Sequence, residues 1–179
     1  MSVLGTNLGE RMTLSQGSII ARGITEEMLT QKLMRDVKDI FGTMVGLEDL
    51  LHLPIQIDPV TNFTDCVSSM VGMAGTYNGL VSLHMPCNLA IRATSSMLGM
   101  EVTEIDDDVN DALGEIANMI AGSFKQHLSR GGLDIRLSTP SVVYGKEYVI
   151  RLSYNADQIA VRFATDDDWF MVAVAFGEN

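Results

Sequence analysis

Residues 66–85, CVSSMVGMAGTYNGLVSLHM, carry the clearest structural pattern in this chain. Two apolar runs, Cys66–Ala74 and Leu80–Met85, have the length and the residue types of β-strands. Between them Tyr77–Gly79 (YNG) offers the left-handed backbone preference that a tight turn needs. The stretch therefore predicts an antiparallel hairpin.

A helix is predicted before the hairpin. Thr25 is a suitable N-cap, and Glu26 and Glu27 place carboxylates at the positive end of the helix dipole. Apolar residues then recur at helical spacing as far as Gly46, which is a residue typical of helix C-terminal caps. These apolar residues are Leu29, Leu33, Val37, Ile40, Phe41 and Met44. The helix is expected to bury this stripe.

Two helices and four strands are predicted after the hairpin. Asn88–Leu98 is the first helix, and the second begins at Asp106–Asp108 and ends before Gly131-Gly132. Its acidic start and its basic end, with Lys125, His127 and Arg130, suit the helix dipole. The four strands are Asp134–Ser138, Tyr148–Tyr154, Ile159–Phe163 and Trp169–Phe176, separated by turns at Gly145, Asn155-Ala156 and Thr165–Asp167. The expected fold class is α/β in the broad sense (α+β): an antiparallel sheet of long strands, neighbours in the sheet, packed against helices.

The element order suggests two similar halves. Asp39–Gly46 aligns without gaps with Glu115–Gly122, and the two segments share an acidic first residue, an isoleucine and the final glycine. Gly42 stands where the second segment has Asn118. We expect one domain over residues 25–179 with an internal pseudo-repeat, preceded by an N-terminal extension or mobile arm over residues 1–24.

Composition excludes several classes of function. The chain has 179 residues, 46% of them hydrophobic, and a formal net charge of −11, so it lacks the basic field that nucleic acid or an anionic membrane would require. Its longest apolar stretches, such as Phe170–Phe176, are far shorter than a membrane span. No secretory signal is visible in residues 1–22, which predicts a cytoplasmic location. Cys66 and Cys87 are interpreted as small buried hydrophobes rather than a disulfide framework.

A line of polar and small residues follows the outer side of the second long helix. Asp111, Glu115, Asn118 and Gly122 stand at i, i+4, i+7 and i+11, opposite an apolar stripe. Glu115 and Asn118 are three residues apart, so both side chains can reach the same external object. Gly122 removes bulk where a partner could approach. Solvent exposure alone would also produce such a polar face.

Helix residues in the pattern Asp111-x3-Glu115-x2-Asn118 are followed by Pro140, 22 positions after Asn118, in the segment STPSVVYG (138–145). This combination resembles the signature of the CheC/CheX/FliY chemotaxis phosphatases. The glycine-marked hairpin, with Gly72, Gly75, Gly79 and Val81, is similar to the first hairpin of that family. Because only the second half has the Glu/Asn pair, the chain resembles the single-site CheX type.

The resemblance implies hydrolysis of the aspartyl phosphate of a CheY-like receiver domain. Asn118 would position the attacking water, and Glu115 would pair with the receiver's lysine. Asp111, Gly122 and Pro140 are expected to support or border the site, whereas Asp39 and Gly42 would be a degenerate second site. The family likeness also implies a homodimer, and Mg²⁺ held by the receiver, with no metal or cofactor on this chain.

Two other functions stay open at this point. The same scaffold could be a noncatalytic adaptor that binds a receiver or a flagellar-switch component, or a sensory domain that binds a small molecule. Other chemistry is less well supported. Gly72–Gly79 lacks the Gly-Lys-Ser/Thr ending of a phosphate loop, His84 and Cys87 have no second pair to complete a metal site, and His52 and His127 have no identifiable triad partners.

Overall fold

The computed structural model describes residues 24–52, 61–129, 134–151 and 157–178. The N-terminal extension predicted over residues 1–24, apart from Ile24, lies outside the described residues, as do the predicted helix end at residues 130–132 and the turn at Asn155-Ala156.

The described chain contains three helices and seven strands. In order they are α1 (Glu26–Val45), β1 (Leu51–His52), β2 (Asn62–Gly75), β3 (Tyr77–Pro86), α2 (Cys87–Leu98), α3 (Asp107–Ser129), β4 (Ile135–Leu137), β5 (Ser141–Val149), β6 (Asp157–Ala164) and β7 (Trp169–Glu178). All the strands belong to one antiparallel sheet in the order β1-β6-β7-β3-β2, and β4 and β5 both pair with the far edge of β2. The α+β fold class is confirmed.

The two halves of the sequence interlock in the sheet. Each half has a long helix followed by strands that end in a hairpin, β2-β3 in the first and β6-β7 in the second. The last strands of the two hairpins, β3 and β7, lie side by side and antiparallel. Strand β1 of the first half pairs with β6, and β5 of the second half pairs with β2. This exchange joins both halves into one sheet.

Helix α1 begins and ends where its capping residues require. The Thr25 hydroxyl oxygen accepts a hydrogen bond from the Met28 N–H at 3.2 Å, and Gly46 takes a left-handed conformation with φ of 76°. The predicted apolar stripe is buried, with the exception of Met44, which is half-buried. Phe41 stacks on Phe170 of β7 with the ring centroids 4.4 Å apart, which fixes the helix on the sheet.

The hairpin turn lies earlier than the sequence pattern predicts. Strand β2 runs to Gly75, which has φ of 145°, and Tyr77–Gly79 already belongs to β3. Gly79 pairs with Phe176, and a Cβ at Gly79 would collide with the carbonyl oxygen of Ala175. The prediction of a turn at Tyr77–Gly79 is therefore wrong, because Gly79 is a site of close strand approach rather than of left-handed backbone.

Strand β5 also begins earlier than predicted. Gly145, expected to separate elements, pairs with Cys66 within the ladder, and residues 141–147 are strand. The reason is the length of β2: it extends back to Asn62, and its free edge provides hydrogen-bonding partners for this whole segment. The last strands are also not all neighbours, since β5 and β6 lie on opposite sides of the β2-β3 pair.

We expect Gly79→Ala to lower the free energy of unfolding by about 2 kcal/mol, because the obstructing atom is main chain and is held in the ladder. Urea denaturation measures the change. Gly122→Ala is the matched control: nothing lies within 4 Å of the position where its Cβ would be, and alanine favours helix, so stability should be unchanged or higher by up to about 1 kcal/mol. Equal destabilisation by both variants would contradict this account.

A hydrogen-bonded chain lies on the sheet face turned away from the helices. Ser82 donates to the Ala173 carbonyl, so its oxygen can accept the Nε2–H of His84 at 2.9 Å. The other ring nitrogen, Nδ1, is then free to accept from the Ser68 hydroxyl at 2.7 Å, and Ser68 in turn accepts from Tyr148 at 2.8 Å.

This series of hydrogen bonds and the burial of the ring keep His84 neutral. The imidazole is 5% exposed and stacks on Phe63 with the centroids 4.3 Å apart. Burial lowers the pKa of His84 to about 4 and raises that of Tyr148 to about 12. Both groups are therefore uncharged near neutral pH. His84 has a role in packing, which is the interpretation that the sequence favoured over a metal ligand.

Candidate active site

Helix α3 begins with the acidic residues that the sequence predicts at its start. The Asp106 carboxylate accepts a hydrogen bond from the Val109 N–H at 3.1 Å, which caps the helix. Asp107 and Asp108 follow at the positive end of the dipole. The apolar side of α3 is buried against the sheet and α1, so its opposite side must face outward.

The outward side carries the residues predicted to form the site. Asp111 and Glu115 are exposed, and Asn118 and Gly122 are half-buried. Glu115 and Asn118 stand on one turn, with their Cβ atoms about 5–6 Å apart by helical geometry. The side of α3 that Glu115 and Asn118 were expected to occupy is therefore confirmed.

Glu115 and Asn118 are unengaged within the described part of the chain. Among the described residues, Glu115 and Asn118 make no hydrogen bond or ion pair. Two other polar side chains of the fold are engaged: Arg92 binds Asp168 at 2.8 Å, and Ser138 binds the main chain of Gly72 at 2.9 Å. The carboxylate and the carboxamide are thus available to a molecule that docks on α3.

Pro140 lies beside the same helix. A Cβ added to Gly114 would stand 3.5 Å from the Pro140 ring, so glycine leaves the space next to this proline open. Two hydrogen bonds of 2.9 Å join Ser138 to Gly72 of β2: the Ser138 N–H donates to the Gly72 carbonyl, and the Gly72 N–H donates to the Ser138 hydroxyl. They hold the segment that leads to Pro140. The exposed Pro140 thereby borders α3 one residue before Glu115.

Asp39 and Gly42 lie on a different helix. They line a shallow depression on α1 together with Lys38, Thr43 and Glu48. Asp39 is exposed, but Gly42 has no side-chain carboxamide at the position that Asn118 holds in the second half. The structure therefore does not bring this pair together with Glu115 and Asn118, and α1 has an acidic residue without its carboxamide partner.

Two features were not found from the sequence. His127 has a partner after all: its Nε2 lies 2.6 Å from Asp36 Oδ2, which joins α3 to α1. No sequence signal links residues 91 positions apart on two helices. The second feature is the Ser68–His84 contact, which depends on strand register.

Cys66 and Cys87 are half-buried rather than buried, and burial raises the pKa of both thiols.

Within the part of the chain that the structure describes, no group of three or more His, Cys, Asp or Glu side chains is placed to hold a metal ion. The carboxylates of Asp166–Asp168 belong to a turn in which Thr165 and Asp168 are hydrogen-bonded to each other. None of the described helices combines the length and the apolar character needed to cross a bilayer.

The site and the fold match a known family. Residues 67–164 match the family model described as chemotaxis phosphatase CheX. The "CheY-P phosphatase CheX" of Thermotoga maritima is 23% identical over 124 residues, which cover 69% of this chain and 79% of that protein.

Solved structures have the same architecture. The crystal structure of the chemotaxis protein CheX from Vibrio vulnificus superposes with a TM-score of 0.71 at 27% identity, covering 83% of this chain and 96% of that one. A CheX–CheY–BeF3–Mg²⁺ complex from Borrelia burgdorferi shares the fold, with a TM-score of 0.66 at 22% identity over 83% of this chain and 97% of that one. Since the family model covers more than half of the sequence, the chain belongs to the CheX family of chemotaxis phosphatases.

Proposed function

We propose that this protein hydrolyses the aspartyl phosphate of a CheY-like receiver domain. The observation that carries the proposal is that Glu115 and Asn118 lie on one outward turn of α3 and have no partner among the described residues. The name of the Thermotoga relative and the receiver bound in the Borrelia complex support the choice of substrate.

Asn118 positions the water in this mechanism. Its carboxamide oxygen accepts a hydrogen bond from a water molecule and holds it in line with phosphorus. The water oxygen forms a bond to phosphorus while the bond from phosphorus to the aspartate oxygen breaks, which releases the free carboxylate, inorganic phosphate and a proton. A neutral amide suits this task because it does not repel the phosphoryl group.

Glu115 docks and orients the receiver. A carboxylate so close to the phosphoryl oxygens would be repelled by them, but it can form a charge-assisted hydrogen bond with the lysine expected beside a receiver's phosphorylation site. Gly122 and Pro140 border the contact, and Asp111 supports the start of α3. The Mg²⁺ is proposed to be held by the receiver, where it would neutralise phosphoryl charge.

A second copy of the chain is proposed to pair along β5. This strand bonds β2 on one edge, and within the described residues no strand pairs with its other edge. Val143, Tyr144 and Val149 are 40%, 55% and 52% exposed there. An unpaired strand edge with apolar side chains favours strand addition. Light scattering should give twice the monomer mass, and a monomeric mass would refute the dimer.

The deciding experiment measures phosphate release from a phosphorylated CheY-like receiver with Mg²⁺ present, with and without this protein. Faster release in proportion to enzyme concentration supports the proposal. Tight binding to the phosphorylated receiver with no change in its decay would establish the noncatalytic adaptor instead.

Glu115→Ala should raise the KM for the phosphorylated receiver about tenfold with a smaller effect on kcat, since the lost contact is one of docking. Steady-state phosphate release over a range of receiver concentrations measures both constants. The matched control is Glu101→Ala, which removes an exposed glutamate outside α3 and should leave KM unchanged. A Glu115 variant with wild-type KM would refute this role.

A further inference from the structure

We infer that Lys125, which lies two turns of α3 after Asn118, sets the orientation in which the receiver docks. It does so by binding an acidic side chain of the receiver. The inference rests on the proposed function, because it concerns the partner of the same site.

Helical geometry puts Lys125 on the docking side of α3. Seven residues separate it from Asn118, so the two lie about 10 Å apart along the axis and within about 20° around it. Asp111 stands seven residues before Asn118 on the same line. One line of the helix therefore carries an acid, an amide and a base in succession.

Gly122, between Asn118 and Lys125, presents no side chain to a partner. Gly122 lies on the adjoining line, and nothing occurs within 4 Å of the position where its Cβ would be. A partner surface that rests on Asn118 can therefore approach the helix closely at Gly122, on the way to Lys125. Lys125 is half-buried, and a lysine of this kind commonly packs its aliphatic stem on the protein while the ammonium group stays in water.

Lys125 has no counter-ion among the residues that the structure describes. Among the described residues, the ion pairs are Arg92 with Asp168 and His127 with Asp36, and Lys125 takes part in neither. The chain carries 23 acidic and 12 basic residues, so acidic partners for a lysine are plentiful. An ammonium group on the docking side that has no acidic partner in the described ranges suits an acidic group of the receiver.

The two long helices differ at this point. Helix α1 ends at Val45, immediately before Gly46, whereas α3 continues for seven residues past the corresponding Gly122, to Ser129. The helix with the Glu/Asn pair is thus the one that extends to carry a base. With acids at one end and a base at the other, reversed docking would bring like charges together, which selects one orientation.

The test uses a receiver held in its phosphorylated form by beryllofluoride and Mg²⁺, together with phosphate release from the phosphorylated receiver. Lys125→Gln should weaken binding and raise KM about threefold, and Lys125→Glu about tenfold, with kcat within about twofold of wild type. Raising the salt concentration should shrink both effects. Lys32→Glu on α1 is the control, since it changes the formal charge of −11 by the same two units as Lys125→Glu, one positive charge lost and one negative charge gained.

The outcomes separate this inference from the proposed function. Equal effects of Lys125→Glu and Lys32→Glu would show general repulsion and overturn the inference while catalysis stands. Loss of kcat at unchanged KM would overturn it as well. Binding that depends on Lys125 in a protein that releases no phosphate would support the docking role and refute the phosphatase. A wild-type protein that neither binds nor dephosphorylates the receiver would refute both.

Discussion

Asn118→Ala should slow phosphate release from the phosphorylated receiver at least about tenfold, a loss of at least ~1.4 kcal/mol of transition-state stabilisation. The effect should fall on kcat, because the carboxamide acts on a water that becomes ordered only as the reaction proceeds. The variant should fold normally, since the side chain is half-buried and makes no hydrogen bond among the described residues.

Two further variants sharpen this experiment. Asn118→Asp keeps an oxygen that can accept a hydrogen bond from water but adds a negative charge next to the phosphoryl group, and it should be as slow as Asn118→Ala. Asn88→Ala removes an exposed asparagine from α2 and should retain wild-type activity. Wild-type kcat in Asn118→Ala, or equal losses in the Asn88 and Asn118 variants, would remove Asn118 from the mechanism.

Lowering the pH from about 6.5 to about 4 should reduce the stability of the protein through His84. In this window the unfolded chain, with a histidine pKa of about 6.5, binds a proton that the folded protein, with a His84 pKa of about 4, excludes. Acid therefore favours unfolding. The gap between the two values corresponds to about 3 kcal/mol, which is fully lost only at pH 4 and below.

Urea denaturation at a series of pH values measures this effect. Carboxylates also titrate below pH 5, so the comparison is with His84→Gln, which keeps a polar side chain but does not titrate. The wild-type protein should lose up to about 3 kcal/mol more than the variant between pH 7 and pH 4. Where His84→Gln does not fold, the proton NMR titration of the His84 ring in the wild type is the second measurement. A His84 pKa near 6.5, or equal pH slopes for both proteins, would contradict the buried network.

Some of the fold could be predicted from local patterns. Helix α1 begins after Thr25 and ends before Gly46, as predicted, because capping depends on a few adjacent residues. The hairpin and β5 were misplaced because the decisive contacts are distant: Gly79 meets β7, and residues 141–147 join β2. Glycine has the same appearance in the sequence whether it supplies a turn or admits a neighbouring strand.

The outward side of α3 could be predicted from the amino-acid pattern alone. Helical period and polarity place Glu115 and Asn118 on one turn away from the apolar stripe, and no distant contact is needed for that result. Three findings required the folded structure: these two side chains have no partner among the described residues, Pro140 stands beside Gly114, and His127 and His84 bind Asp36 and Ser68. Those contacts join residues far apart in the chain, and their partners are fixed by strand register and helix packing, which no local pattern encodes.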